Sequence, residues 1–128
     1  MQTPADPAAP LLVVDAANVM GSRPDGWWRD RAGAAVRLRD RLERVAGAGR
    51  PDLPPPVRVV LVVEGAARGV PDGDLVGVVA AAGSGDDAVV ELVRAEPGRR
   101  RVVVTADREL RRRVTELGAE VRGPRWLD

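Results

Sequence analysis

The chain has 128 residues and a formal net charge of +1, and 45% of its residues are apolar, which suits one domain with a buried core. It contains no Cys and no His, and no Lys either, because all 20 basic residues are arginines. These absences exclude thiolate and imidazole metal sites, Ser–His–Asp triads, Schiff-base chemistry and a lysine-bearing phosphate loop. Any catalysis must therefore rest on Asp and Glu, and a hard metal ion held by carboxylates is the simplest way to achieve it.

The first ten residues are rich in Pro and Ala and have neither the basic start nor the apolar stretch of a signal peptide. No segment approaches the roughly 20 apolar residues that span a bilayer. We therefore expect residues 1–10 to form a disordered leader, residues 11–128 to form one domain, and the protein to be cytoplasmic and to have no contact with a membrane.

Short apolar runs alternate with segments of helical periodicity along the chain. Strands are predicted at Leu11–Val14, Val57–Val63, Val76–Ala81, Val102–Val104 and Glu120–Val121. Helices are predicted at Trp27–Val45, Asp86–Ala95 and Asp107–Leu117, with turn-rich loops at Asn18–Gly26, Gly47–Pro56 and Gly65–Asp74. This alternation indicates an α/β fold with a parallel sheet between helices, whose strands all end at one edge. Ligands of open parallel sheets bind along that edge.

Acidic residues follow the predicted strands at that shared edge: Asp15, Glu64, Asp86, Asp87 and Asp107. Carboxylates brought together repel one another, and a cluster of them persists most readily around a divalent cation. Mg²⁺ or Mn²⁺ fits best, since both ions prefer oxygen ligands and need neither His nor Cys. The sequence therefore predicts a site for one or two such ions.

Each acid also has a purely structural interpretation. Asp86 and Asp107 precede predicted helices and are equally suited to capping the free backbone N–H groups there. Glu64 is compatible with a solvated or arginine-paired side chain. Asp15 is harder to explain in this way, because it ends a strand buried on both faces, where a solitary charge is costly.

Three segments resemble PIN-like nucleases, and among them the bacterial NYN domain family: LLVVDAANVMGS, GDDAVVELV and VVVTADREL. The resemblance implies a three-layer α/β/α PIN-like fold with strand order 3-2-1-4-5 and metal-dependent hydrolysis of RNA phosphodiester bonds. Asp15, Asp87 and Asp107 match the family's metal-binding acids and would be the catalytic residues. Spacing does not decide between Asp86 and Asp87; Asp87 is preferred because a small residue and an apolar run follow it, which leaves Asp86 as a cap or outer-sphere ligand.

Further residues are candidates for supporting roles. Glu91 follows Asp87 by one helical turn, so it either reaches the same ion through water or is an exposed helical Glu. Asn18 and Thr105 would orient the attacking water or a phosphate oxygen. Arg108 and Arg23 would contact phosphates.

The aromatic and basic residues suggest how RNA would be held. Trp28 fits the apolar stripe of the first helix and is expected in the core, whereas Trp27 would be free to stack an unpaired base. A shallow edge of one sheet suits a flexible single strand better than a duplex, so single-stranded RNA is the expected partner. The run Arg99–Arg101 precedes a strand and is expected to be a solvated face at the opposite edge.

The protein is expected to be a monomer or a homodimer. Two other function classes remain as alternatives to an active nuclease. One is a catalytically weak PIN-like module that binds RNA or a protein partner. The other is a phospho-acceptor or phosphatase domain with Asp15 as nucleophile. The second fits poorly, because receiver domains need a Lys and Ala17 stands where a phosphatase would have a second Asp.

Overall fold

A computed structural model describes residues 9–128, and residues 1–8 of the predicted leader lie outside the described part. The strands are β1 (Leu11–Asp15), β2 (Arg58–Val63), β3 (Val76–Ala80), β4 (Arg101–Val104) and β5 (Glu120–Arg122). The α-helices are α1 (Ala16–Gly21), α2 (Arg31–Ala48), α3 (Gly85–Arg94) and α4 (Arg108–Glu116). All neighbouring strands are parallel, in the order β3-β2-β1-β4-β5. The predicted α/β fold and strand order are confirmed.

Helices cover both faces of the sheet, as the continuous apolar strands predict. Leu12 and Val14 of β1 point to one face, where they pack in a core with α1 and α2. Leu11 and Val13 point to the other face and pack with α3 and α4. Central β1 is thus buried on both sides, and its last residue, Asp15, lies at the middle of the carboxyl edge.

The segment between β1 and α2 differs from the sequence-based expectation. A helix, α1, begins directly after β1 because the Asp15 carboxylate accepts a hydrogen bond from the Asn18 backbone N–H. Helix α2 begins at Arg31 instead of Trp27, because Asp30 caps it through Gly33 N, 2.9 Å away. The tryptophans therefore lie on a separate 3₁₀ turn that follows Gly26, whose φ is +77°.

This turn reverses the predicted arrangement of the tryptophans. Trp28 is 53% exposed, so its expected place in the core is wrong. Trp27 is half-buried and packs against the core beside α1 and α2. The helical periodicity of the sequence includes residues 27–30, but these residues precede α2.

The opposite, amino edge of the sheet contains a buried arginine where a solvated run was expected. Arg101 is 5% exposed, and its guanidinium donates to the carbonyl oxygens of Val93 (2.7 Å), Leu117 (2.8 Å) and Arg99 (3.0 Å). Two of these acceptors lie at the ends of α3 and α4, where a cation is favourable. Arg101 therefore ties both helices to the sheet.

The described part of the predicted leader makes contacts with the domain. Ala9 is buried, and the Pro10 carbonyl accepts a hydrogen bond of 2.9 Å from the Arg58 backbone N–H. Within residues 9–128, no helix combines the length and the apolar character that crossing a membrane requires.

Candidate active site

Asp15 lies at the centre of the candidate site and is only 5% exposed. One carboxylate oxygen accepts from the backbone N–H of Asn18 (3.4 Å) and the other from the hydroxyl of Thr105 (3.1 Å). Burial is the main cause that raises the pKa of Asp15 to about 6, and the nearby charges of Asp86 and Glu64 raise it further. These hydrogen bonds oppose the rise without cancelling it.

Glu64 follows β2, and its carboxylate accepts a hydrogen bond of 2.5 Å from the backbone N–H of Gly85. A Cβ atom built at Gly85 would lie 3.1 Å from the Glu64 carboxylate oxygen, closer than ordinary packing allows. The glycine therefore lets Glu64 bind the first turn of α3 directly. This contact brings the acids of α3 to the edge occupied by Asp15.

Asp86 is half-buried in that first turn and is not the cap of α3, because Ser84 fills that role through Asp87 N at 3.2 Å. Its pKa is raised, first by burial and then by the charges of Asp107 and Glu64. Asp107 caps α4 by accepting a hydrogen bond of 2.9 Å from Leu110 N. We call the four mutually facing carboxylates the acidic edge: Asp15, Glu64, Asp86 and Asp107.

Two predicted metal ligands point elsewhere. The Asp87 side chain is 72% exposed and pairs with Arg113 of α4 at 3.0 Å. Glu91 is exposed and forms an ion pair with Arg94, which fits its interpretation as a surface Glu and not a role at the ion. The geometry therefore favours Asp86 for the place that the sequence assigned to Asp87, because Asp86 faces inward one residue earlier on the helix.

Thr105 and Asn18 form hydrogen bonds that hold the edge together. Thr105 is fully buried; its hydroxyl donates to Asp15 and accepts from the backbone N–H of Asp107 at 3.1 Å. The Asn18 side-chain oxygen accepts from Ala106 N at 2.7 Å, which links α1 to the turn after β4. Direct contact of Thr105 with water or phosphate is excluded by its burial. The Thr-x-Asp spacing is the signal that sequence reasoning missed, since it favours a hydroxyl-to-backbone bond at a helix start.

A cavity of about 280 Å³ opens beside the acidic edge, on the side of β2. Its lining includes Ala16, Ala17, Met20, Trp27, Arg31 and Glu64. The guanidinium carbon of Arg31 lies 5.4 Å from the ring centroid of Trp27, a cation–π distance. Trp27 therefore lines an open space next to the carboxylates, as its predicted role requires, and Arg31 joins it there although the sequence analysis did not identify it.

The two arginines predicted to contact substrate have different surroundings. Arg108 is exposed at the start of α4, next to Asp107, and has no ion-pair partner within the described part of the chain. Arg23 forms an ion pair of 2.5 Å with Asp128. Arg108 is thus available at the acidic edge, whereas the guanidinium of Arg23 is already engaged.

The chemistry of the acidic edge suits a hard divalent cation, because all of its donors are carboxylate oxygens and none of them lies within ion-pair distance of an arginine in residues 9–128. The charge of Arg113 acts on Asp86 only from a greater distance. The side chains stand apart, however: no three acidic side chains of residues 9–128 lie close enough together to hold an ion as they are placed. Asp15, Glu64 and Asp107 each accept a backbone N–H instead. The carboxylates of the acidic edge therefore suit such an ion in their chemistry and in their location. In this arrangement, however, three of them bond to backbone N–H groups and do not converge on one point.

Comparison with known proteins supports the fold assignment. Neither a protein-family model nor a curated protein matches the chain. Among solved structures, the chain is similar to a point mutant of Rae1 (YacP) from Bacillus subtilis, with a TM-score of 0.75 and 18% sequence identity. The match covers 91% of this chain and 71% of that one. The five-stranded parallel sheet and its flanking helices therefore form an α/β fold like that of this solved structure.

Proposed function

We propose that the protein is a divalent-metal-dependent ribonuclease that hydrolyses single-stranded RNA. The observation that carries this proposal is the acidic edge itself: four carboxylates meet there without an ion-pair partner in residues 9–128, and the pKa values of Asp15 and Asp86 are raised. By contrast, Glu120, Asp52 and Asp128 are paired with arginines. The similarity in fold to PIN-like NYN proteins supports the same conclusion.

In this proposal, Asp15, Asp86, Asp107 and Glu64 would hold one or two Mg²⁺ or Mn²⁺ ions. A bound ion of this kind acidifies its water ligand and compensates charge on the phosphate. Thr105 positions Asp15 and Asp107 together through one hydroxyl, and Asn18 fixes the turn between them. These contacts tie Asp15 and the start of α4 to the same part of the edge. Because a bound ion would itself activate the water, the mechanism needs no protein general base, which suits a chain without His or Lys.

The surroundings of the edge suit one flexible strand. Arg108 would bind a phosphate next to Asp107, and Trp27 would stack an unpaired base in the neighbouring cavity. The edge is shallow and open, and no second domain in residues 9–128 closes over it. A single strand can bend into such a site, whereas a rigid duplex would have to approach over the flanking helices.

The test adds Mn²⁺ to the purified protein and makes three measurements. Titration calorimetry measures binding of the ion, thermal melting measures stability, and a labelled RNA measures cleavage. Wild-type protein should bind Mn²⁺, melt at a higher temperature with it, and lose cleavage in excess EDTA. Asp15→Asn should abolish both binding and cleavage, while the matched control Glu91→Gln, an exposed acid, should retain both. Full cleavage in EDTA, or unchanged ion binding by Asp15→Asn, would contradict the proposal.

A second candidate is a PIN-like module that binds RNA without cleaving it. The specific observation in its favour is that the acids of residues 9–128 stand too far apart to hold an ion as placed, and that three of them bond to backbone N–H groups. RNA binding that survives EDTA, with no turnover in Mg²⁺ or Mn²⁺ on any RNA, would identify this function.

A further inference from the structure

Helix α2 presents a row of arginines on the face that lies away from β3. Arg37, Arg41 and Arg44 follow one another at helical spacings of four and three, which places them within about 60° of one another and along about 10 Å of the axis. Arg23 and Arg41 line the first hollow on this face together with Arg37, and Arg50 lines the next hollow together with Arg41 and Arg44. We call this surface the arginine groove: Arg23, Arg37, Arg41, Arg44 and Arg50.

Few acids compensate these five guanidinium groups. Asp128 contacts Arg23 (2.5 Å) and Arg41 (3.2 Å), and its backbone oxygen accepts from Arg50 (3.0 Å). Asp25 is the other acid that lines the groove. Positive charge therefore exceeds negative charge along its whole length.

The remaining acids of α2 are committed elsewhere. Asp40 pairs with Arg39 at 3.1 Å, and Glu43 accepts from the backbone N–H of Leu75 at 2.8 Å. Arg37 and Arg44 are exposed and have no ion-pair partner in the described part of the chain. The row of arginines is thus not the positive half of an ordinary set of i, i+4 helix pairs.

Two donors within the groove also lack acceptors. The Nε atoms of Arg23 and Arg50 are buried and have no hydrogen-bond partner in residues 9–128. The terminal nitrogens of these two guanidinium groups contact Asp128, so both groups are only partly satisfied within the described residues. A guanidinium fork matches the paired oxygens of a phosphate.

The groove is continuous with the candidate active site. A hollow that contains Arg23 and Asp128 also contains Ala106, which adjoins Asp107 of the acidic edge. Arg23 also lines the first hollow of the groove, so these two hollows share an edge. A strand lying across the acidic edge can therefore continue onto α2 without leaving the surface.

We propose that the arginine groove binds the backbone phosphates of the RNA segment that flanks the cleaved bond. The choice of RNA rests on the proposed function, while the groove's preference for a repeated anion rests on its own charge and spacing. The groove would give affinity without sequence preference, and it would favour long strands over short ones. Evenly spaced guanidinium groups suit a backbone with one negative charge per nucleotide.

The experiment measures binding and cleavage separately. Binding is measured in EDTA with Asp15→Asn as the parent, using a labelled single strand longer than about 16 nucleotides and a tetranucleotide. The variant is Arg37→Gln/Arg44→Gln, and the matched control is Arg58→Gln/Arg94→Gln, which removes the same charge from exposed positions elsewhere. Circular dichroism confirms that both variants are folded.

We expect the groove variant to bind the long strand about tenfold more weakly than the control does at low salt. The slope of log K against log salt should become shallower by about 1.4, which corresponds to two lost phosphate contacts. Tetranucleotide binding, and cleavage of the tetranucleotide by the same variant in the wild-type background, should not change. Asp128→Asn should act in the opposite direction and strengthen long-strand binding, because it removes a carboxylate from the groove.

The outcomes separate the two proposals. If the groove variant and the control weaken binding of the long strand equally, or if neither weakens it, the proposal that the arginine groove binds RNA is wrong. Polyglutamate that competes as well as RNA of equal charge also overturns it and indicates an acidic protein partner. If the salt slope changes as expected but no RNA is ever cleaved, the nuclease proposal fails and the groove stands.

Discussion

Two clusters of acids in this molecule have opposite electrostatic surroundings. In the arginine-paired cluster, Glu120 contacts Arg100 at 2.6 Å and Asp52 contacts Arg122 at 2.8 Å. These partners lower the pKa of Glu120, and hydrogen bonds from Trp126 and Arg122 lower that of Asp52. At the acidic edge the pKa of Asp15 is instead raised to about 6, since burial and neighbouring carboxylates both disfavour its charge.

The difference separates acids that support the fold from the acids that we propose hold a metal ion. With 20 arginines in the chain, partners for the acidic edge were available, yet none reaches it within ion-pair distance in the described residues. Uncompensated buried charge costs stability, so its retention indicates a role other than folding. Ion pairs at the other cluster stabilise the fold modestly at most.

The strongest test of this contrast compares two neighbours on α3. Asp86→Asn should lower RNA cleavage by more than about 100-fold, because it removes a member of the acidic edge. Loss of a residue that only supports a metal ligand costs about 100-fold at most, and loss of a ligand should cost more. Asp87→Asn should lower cleavage only slightly, since Asp87 is exposed and pairs with Arg113. Single-turnover cleavage rates measure both. The reverse ranking would show that the sequence-based preference for Asp87 is correct.

A second test measures stability as a function of pH. The pKa of Asp15 is about 6 in the folded protein against 3.8 when unfolded, so unfolding releases its proton and stability falls as pH rises from 4 to 6. Asp15→Asn should therefore raise the free energy of unfolding at pH 7 without metal, by at most about 3 kcal/mol, and should add little at pH 4. Urea titrations at the two pH values measure the difference. A destabilised variant at pH 7 would show that the hydrogen bonds of Asp15 outweigh its charge.

A third test uses the tryptophans beside the acidic edge. Trp27→Ala should raise KM for single-stranded RNA about tenfold and leave kcat nearly unchanged, because stacking contributes about 1–3 kcal/mol and less at a partly exposed ring. Trp28→Ala, the matched control, removes an exposed ring that does not line the cavity. Steady-state kinetics of both variants decide the matter. If both substitutions raise KM equally, the unpaired base of the RNA does not stack on Trp27.

The smallest expected effect concerns the arginine-paired cluster. Its acids have lowered pKa values, so their contribution is present at neutral pH and is lost as the pH falls below the ordinary pKa values of 4.5 for Glu120 and 3.8 for Asp52. Glu120→Gln should therefore lower the free energy of unfolding by about 1 kcal/mol or less at pH 7, with no effect on cleavage. Its pH dependence should be opposite in sign to that of Asp15→Asn. A stabilised Glu120→Gln protein would remove the contrast between the two clusters.

The sequence alone was sufficient to predict the fold, because its signals are local. Valine-rich runs buried on both faces, alternating with helical periodicity, leave few arrangements other than a parallel sheet. Each acid of the acidic edge directly ends or follows a strand, or opens the helix after one, so the handedness of the crossovers places them together. The shared edge of Asp15, Glu64, Asp107 and the Asp86/Asp87 pair was accessible on this basis, whereas the strand order was implied by the resemblance to PIN-like nucleases.

Only the tertiary structure decided which neighbour faces inward and what each side chain contacts. Asp86 and Asp87 are adjacent in sequence, and the rotation of α3 that separates them follows from the packing of Val89, Val90 and Val93 in the core. Trp27 packs against the core in place of Trp28 because α2 begins only after Asp30, which caps it. The arginine groove draws on a loop, a helix and the residues beyond it, and no periodicity connects Arg23 with Arg50. Local pattern determines elements and their order, whereas the partners of a charge depend on rotations and contacts between distant segments.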